Sequence, residues 1–268
     1  MTDSYQQPLD RLMKLGAEPA RRRMWPDYRH LGLTDRHVPA LIKIATDPAL
    51  HAAGDRDRAA WAPIHAWRAL GQLGATTAAA PLLALLQREH GNAWAFDELP
   101  VVLGMIGPTA LAGATLLLFD EEHPDALRMA AARMMVEVAH DYPERRDEVV
   151  AILSKQLEDF AHQSPGLNGF LVADLAELDA REAAPAMEAA FAAGAVDLTA
   201  FGDWEDVQVH LGLLERRITP PTPWSPLAPD EEDAPVSGRV PDDGTRASAR
   251  ARSRRKAQKQ SRKRNRKK

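Results

Sequence analysis

Apolar residues recur along this chain at helical spacing, and the helices they imply come in pairs. Between Ala59 and Gly74, Trp61, Ile64, Trp67, Leu70 and Leu73 follow one another at intervals of three, close enough to the helical period of about 3.6 to build one apolar stripe. Leu70 and Leu73 before Gly74 are echoed by Leu103 and Ile106 before Gly107, by Met135 and Val138 before Ala139, and by Leu175 and Leu178 before Asp179. The second residues of these pairs lie 33, 32 and 40 positions apart. That period predicts two-helix units that cannot bury their apolar faces alone and must stack into one continuous core.

Start and stop signals sketch the remaining boundaries. Leu9, Leu12, Met13 and Leu15 have helical spacing before Gly16, Pro19 and Pro26 then forbid a long helix, and Thr34 is placed to cap a helix carrying Val38, Leu41, Ile42 and Ala45. This is an irregular first repeat over about 1–50. Thr76 or Thr77 is expected to cap the helix with Leu82, Leu83, Leu85 and Leu86, and Asp97 the helix from Leu99 to Ile106. Pro108, Pro124 and Pro143 are read as first-turn prolines of helices reaching Phe119, Val138 and Phe160, because a missing N–H costs least there. Leu167 to Leu178 pairs with Arg181 to Phe191, stopped by Gly194; Asp203 and Asp206 then frame a closing helix carrying Val207, Leu211 and Leu214. No alternating pattern competes, so the expectation is an all-α superhelix over residues 1–217.

Past Arg217 the composition changes to TPPTPWSPLAPDEEDAPVSGRVPDDG, which has little to bury. A disordered acidic, Pro-rich linker is expected over 218–244 and a disordered polybasic tail over 245–268. Trp224 is the exception in the linker, either docking back onto the body or serving as a short linear contact.

Charge sharpens this division. The net charge of −4 conceals 13 of the 34 basic residues in the last 24 positions, where there is no acid, so residues 1–244 carry 21 basic against 38 acidic groups, or −17. Arg250, Arg252, Arg254, Arg255, Lys256, Lys259, Arg262, Lys263, Arg264, Arg266, Lys267 and Lys268 form a polyanion-binding tail. Folding back onto the acidic body is its alternative use. Hydrophobic residues make up 45% of the chain and cysteine is absent, which excludes disulfides, thiolate nucleophiles and thiolate zinc sites. The opening MTDSYQQPLDRL has no basic start with an apolar core, and no run of about 18 apolar residues occurs, so a cytoplasmic protein without membrane attachment is expected.

The Leu-x-x-Leu-Gly of Leu70 to Gly74 with Ala80-Pro81-Leu82-Leu83 after it, and Leu103 to Gly107 followed by Pro108, Ala110 and Leu111, resemble HEAT repeats of the short type also found in phycobilisome lyases. The segments GAEPARRRMWPDY at 16–28, WAPIHAWRALGQLGA at 61–75 and GDWEDVQVHLGLLE at 202–215 are similar to a bacterial group of HEAT-like proteins, some carrying a C-terminal SEC-C-type zinc motif. The resemblance implies a HEAT-like α-solenoid acting as an adaptor. The zinc motif is not carried over, since it needs cysteines and the basic tail stands in its place.

Candidate chemistry is sparse. Metal-binding HEAT-like hydroxylases use His-Glu pairs, and here no histidine precedes a glutamate; Glu121, Glu122 and His123 abut Pro124, where acids suit a helix start. His65, between Trp61 and Trp67, reads as a packing histidine. Nucleophile elbows, phosphate-binding glycine loops and His-Glu-x-x-His are lacking. HEAT-like DNA glycosylases work on a basic face, which a body of −17 does not offer. Asp203, Trp204, Glu205 and Asp206 are the leading partner-binding candidates, three acids around an indole suited to a basic peptide, with an N-capped helix and inward Trp204 as the plain alternative. Arg21, Arg22, Arg23 and Trp25 form the opposite patch, for an anionic partner or for acids of the next helix.

The expectation is therefore a non-enzymatic scaffold with no cofactor, binding a protein partner while its tail adds electrostatic avidity. A nucleic-acid or ribosome-associated protein acting through the tail is the first alternative, and a lyase-like chaperone of a cofactor-bearing protein the second. Oligomeric state is not legible.

Overall fold

A computed structural model describes residues 7–17, 24–52, 58–89 and 92–227. Every regular element in them is helical: α1 (Leu9–Leu15), α2 (Val38–Thr46), α3 (Pro48–His51), α4 (Ala62–Leu73), α5 (Ala79–Arg88), α6 (Ala93–Ile106), α7 (Leu111–Phe119), α8 (Asp125–Asp141), α9 (Arg146–Leu157), α10 (Pro165–Glu177), α11 (Ala184–Ala192) and α12 (Trp204–Leu211). The all-α reading holds for the described residues. The tail positions from Arg250 to Lys268, and Arg21, Arg22 and Arg23, lie outside them.

A structural repeat underlies the sequence repeat. Short 3₁₀ turns at Asp35–His37, Thr76–Ala78, Pro108–Ala110, Pro143–Arg145 and Arg181–Ala183 each run straight into α2, α5, α7, α9 and α11. Helix contacts then follow two series. In one, α1 touches α4, α4 touches α6, α6 touches α8, α8 touches α10 and α10 touches α12; in the other, α2, α5, α7, α9 and α11 touch in turn. Between α6 and the helix after it the chain turns by 118°.

The 3₁₀ turns correct several expected boundaries. Thr34 does form a capping box, but with the turn residue His37, and neither Thr76 nor Thr77 caps α5 by its side chain. Pro108 and Pro143 open turns rather than α-helices, and α9 stops at Leu157, with a separate turn at Phe160–His162. Proline at such a first position presets φ, which suits a 3₁₀ turn as well as an α-helix, so the residue alone does not choose between them. Asp97 is no cap: α6 begins at Ala93 because the Asn92 side chain accepts from the Trp94 and Ala95 N–H groups, and Pro100 sits inside the helix. Helix α8 runs to Asp141, beyond the expected Val138.

Both series contribute to one core. Ala62 to Gly71 of α4 are all buried, His65 and Arg68 included, because α1, α2 and α6 cover it from several sides. A single apolar stripe was therefore too narrow an expectation for α4. Helices α6 and α8 meet closely at Gly104, where a Cβ would stand 2.4 Å from the Cβ of Glu137. Ala130, Ala131 and Ala132 keep the buried middle of α8 thin. On α8, Arg133 bonds Glu137 and reaches α10, donating to Glu177 Oε2 at 2.6 Å and Oε1 at 3.1 Å.

Candidate functional site

The candidate site begins with the first turn of α12. Asp203 has extended backbone and its Oδ1 accepts the Asp206 N–H at 3.2 Å, while Asp206 Oδ2 accepts the Asp203 N–H at 3.0 Å. This is the expected capping box, with aspartate in the answering position. It needs Gly202, at φ 108°, since a Cβ there would lie 2.2 Å from Asp206 Oδ2. The Asp206 carboxylate is thus tucked against the backbone of Gly202 and Asp203.

Arg217 fills the space between them. Its Nη1 lies 2.6 Å from Asp203 Oδ1 and 2.7 Å from Asp206 Oδ1, and its Nη2 donates to Asp203 Oδ2 at 2.7 Å. Two parallel bonds from a guanidinium to one carboxylate are the strongest geometry this pair offers. Glu205 Oε2 accepts from the Ile218 N–H, the Thr219 N–H and the Thr219 hydroxyl, each at 3.0 Å. Further on, buried Ser225 donates its hydroxyl to Asp206 Oδ1. The span from Arg217 to Ser225 is a strap across the start of α12.

Protonation states follow from these contacts. The Arg217 guanidinium holds the Asp203 carboxyl below its ordinary value, against a smaller opposing effect of burial. The Thr219 N–H, chief among its partners, does the same for Glu205. Asp203, in return, holds the Arg217 pKa above its ordinary value. A fixed set of acceptors of this kind recognises a guanidinium and the amides beside it.

The structure brings Asp203, Glu205 and Asp206 together and gives Trp204 and Trp25 other partners. Trp204 turns aside and packs on Phe191, ring centroids 5.8 Å apart, so the indole is not part of the acidic cradle. Trp25, expected on an exposed patch, is buried, with the Arg68 guanidinium carbon 4.9 Å from its ring centre. Residues 218–227, expected to begin a disordered linker, include the strap. Its Ser225 is docked, and Trp224 beside it is half-exposed. Arg217, Thr219 and Ser225 escaped sequence reasoning because the Pro-rich composition masked them; the one available signal was the Arg216-Arg217 pair just before the prolines, six residues after Leu211 ends α12.

A second polar cluster ties the N-terminal region to α4 and α6. Arg68 donates from Nε and Nη2 to the two oxygens of Glu98, which also accepts from Trp67 Nε1 at 3.1 Å. His65 Nε2 lies 2.8 Å from the Gly16 carbonyl, which only accepts, so Nε2 carries hydrogen, and Nδ1 shares a hydrogen bond with the Tyr28 hydroxyl at 2.7 Å. Both residues are fully buried, as the packing reading of His65 implies.

The acids expected at the start of α8 are arranged otherwise. Pro124 occupies the cap position without a side-chain bond, and Asp120 orders the preceding turn by accepting from the Glu122 N–H at 3.0 Å. Among the described residues no group of three or more histidines and acids is placed to hold a metal ion. No single helix among them is long and apolar enough to cross a membrane. An open recess lined by Phe119, Glu121, Lys155, Gln156, Glu158 and Asp159 lies beside the end of α7. No family model, no curated protein and no solved structure matches the chain.

Proposed function

We propose that this protein is a HEAT-like α-solenoid scaffold that binds a protein partner without catalysing a reaction, its basic tail adding electrostatic avidity. The observation that carries the reading is the order of helix contacts, two series in which, from α4 and α5 onward, each helix touches the next helix but one along the chain. Repeat scaffolds are quasi-one-dimensional in this way, and their extended surfaces serve for binding. The acidic cradle on α12 supplies a second support, since it already holds an arginine through three carboxylates.

The alternative of nucleic-acid association rests on one feature, the 13 basic residues without an acid between Thr245 and Lys268. Affinity capture with the full chain and with a chain ending at Gly244, each with and without nuclease, separates the two. The scaffold reading expects the same protein to be recovered by both chains after nuclease, more weakly and with less salt dependence for the shorter one. Loss of all capture on nuclease treatment would favour nucleic acid.

A further inference from the structure

We infer that the α12 cradle is a binding site for an extended peptide carrying Arg-x-Thr or Arg-x-Ser, and that the chain blocks it in cis with its own Arg217-Ile218-Thr219. This rests on the protein-binding reading above and names its partner chemistry. Three observations carry it. Two of the three carboxylates, Asp203 and Asp206, are oriented within α12 through their capping box and the space that Gly202 leaves, so that part of the site does not depend on the strap for its geometry. The strap engages it as a ligand does: a guanidinium between Asp203 and Asp206, then two successive backbone N–H groups and a hydroxyl on Glu205.

The third observation is what the strap leaves out. Ile218 is 80% exposed and Trp224 52%, so the apolar side chains around the contact stay largely in water. The strap is held by charge and hydrogen bonds through the buried Arg217 and Ser225 side chains rather than by apolar packing, so a competitor must present the same polar groups to replace it. Its advantage is tethering: Gly212 to Arg216 connect Arg217 to the end of α12, which gives the cis segment an effective concentration in the millimolar range, about that of short linkers generally. A free peptide sees the cradle only in the fraction of molecules whose strap is off, which weakens its apparent affinity by that fraction.

The test uses a labelled synthetic peptide of residues 213–227 and the full chain. In a variant carrying Arg217→Ala, Thr219→Ala and Ser225→Ala, the peptide should bind at least tenfold more tightly than to the unaltered chain, and a peptide with Ala for Arg217 should not bind. Adding Asp203→Asn and Asp206→Asn to the variant should abolish binding. Equal affinity for the unaltered chain and the folded triple variant, or indifference to the peptide's arginine, would overturn the inference. Should the variant fail to fold, amide exchange in the unaltered chain decides: the Ile218 and Thr219 amides should exchange faster with millimolar peptide, and unchanged rates would count as refutation. Because the probe is synthetic, its failure leaves the capture result, and with it the scaffold reading, standing.

Discussion

Glu98 shows how much one residue can hold. Its carboxylate neutralises Arg68, satisfies the Trp67 indole and sits almost wholly out of water. Burying such a pair gains little net energy, but removing one partner leaves the other charge stranded. Glu98→Ala should therefore destabilise the fold by about 3–5 kcal/mol, measured by urea denaturation, whereas a Leu pair at positions 68 and 98 should cost less than either single change. At the other end, Asp203→Ala removes the α12 cap and one wall of the cradle. The cap alone is worth about 1 kcal/mol. A loss confined to α12 and the strap, read by amide exchange, is the expected outcome.

At the scale of elements, helix α6 depends on how closely it meets α8. A methyl group at Gly104 would stand 2.4 Å from Glu137 Cβ, and because the contact lies between two helix bodies neither side chain can swing away. Gly104→Ala should cost about 1–3 kcal/mol, as overpacking of a tight core does, and lower the thermal midpoint. Gly74, which a Cβ would meet no atom within 4 Å, is a contrasting case in which only the left-handed backbone at φ 63° resists substitution. Much of this level was legible in the sequence. The helices themselves, the Gly194 stop and the Asp203 cap follow from local chemistry, since hydrophobic spacing and caps act within a few residues. The 3₁₀ turns and the early start of α6 at Asn92 were not, because threonine and proline serve either kind of turn and Asp97 looks as good a cap as Asn92 until the helix is packed.

For the whole molecule, the strap makes one consequence of charge measurable. Asp203 and Glu205 have carboxyls held below their ordinary values, chiefly by Arg217 and by the Thr219 N–H respectively. Groups depressed on folding stabilise the structure above their ordinary values, 3.8 and 4.5, and the contribution is lost as pH falls through the lower folded values. Acidification below the ordinary carboxylate range should therefore release the strap, seen as faster exchange of the Ile218 and Thr219 amides and proteolysis between Gly212 and Leu227. An exchange pattern unchanged down to acid unfolding of the whole chain would show that the latch contributes nothing separable. His162 points the other way: the Asp159 carboxylate bonded to it raises its pKa above 6.5, so its charge should persist to higher pH in an NMR titration.

What the sequence determined by itself is the helical class, the approximate place of most helices and the concentration of basic residues at one end of an otherwise acidic chain. These follow from composition and from periodicities that act over a few residues, and they need no knowledge of where the chain goes next. Only the tertiary structure decided which polar groups meet. Arg68 finds Glu98, Trp25 turns inward beneath Arg68, Trp204 leaves the acids beside it for Phe191, and Arg217 returns to Asp203 and Asp206. The physical reason is common to all four: a charged or aromatic side chain has many equivalent partners in sequence, and the choice among them is made by the desolvation each would suffer where the packed helices place it.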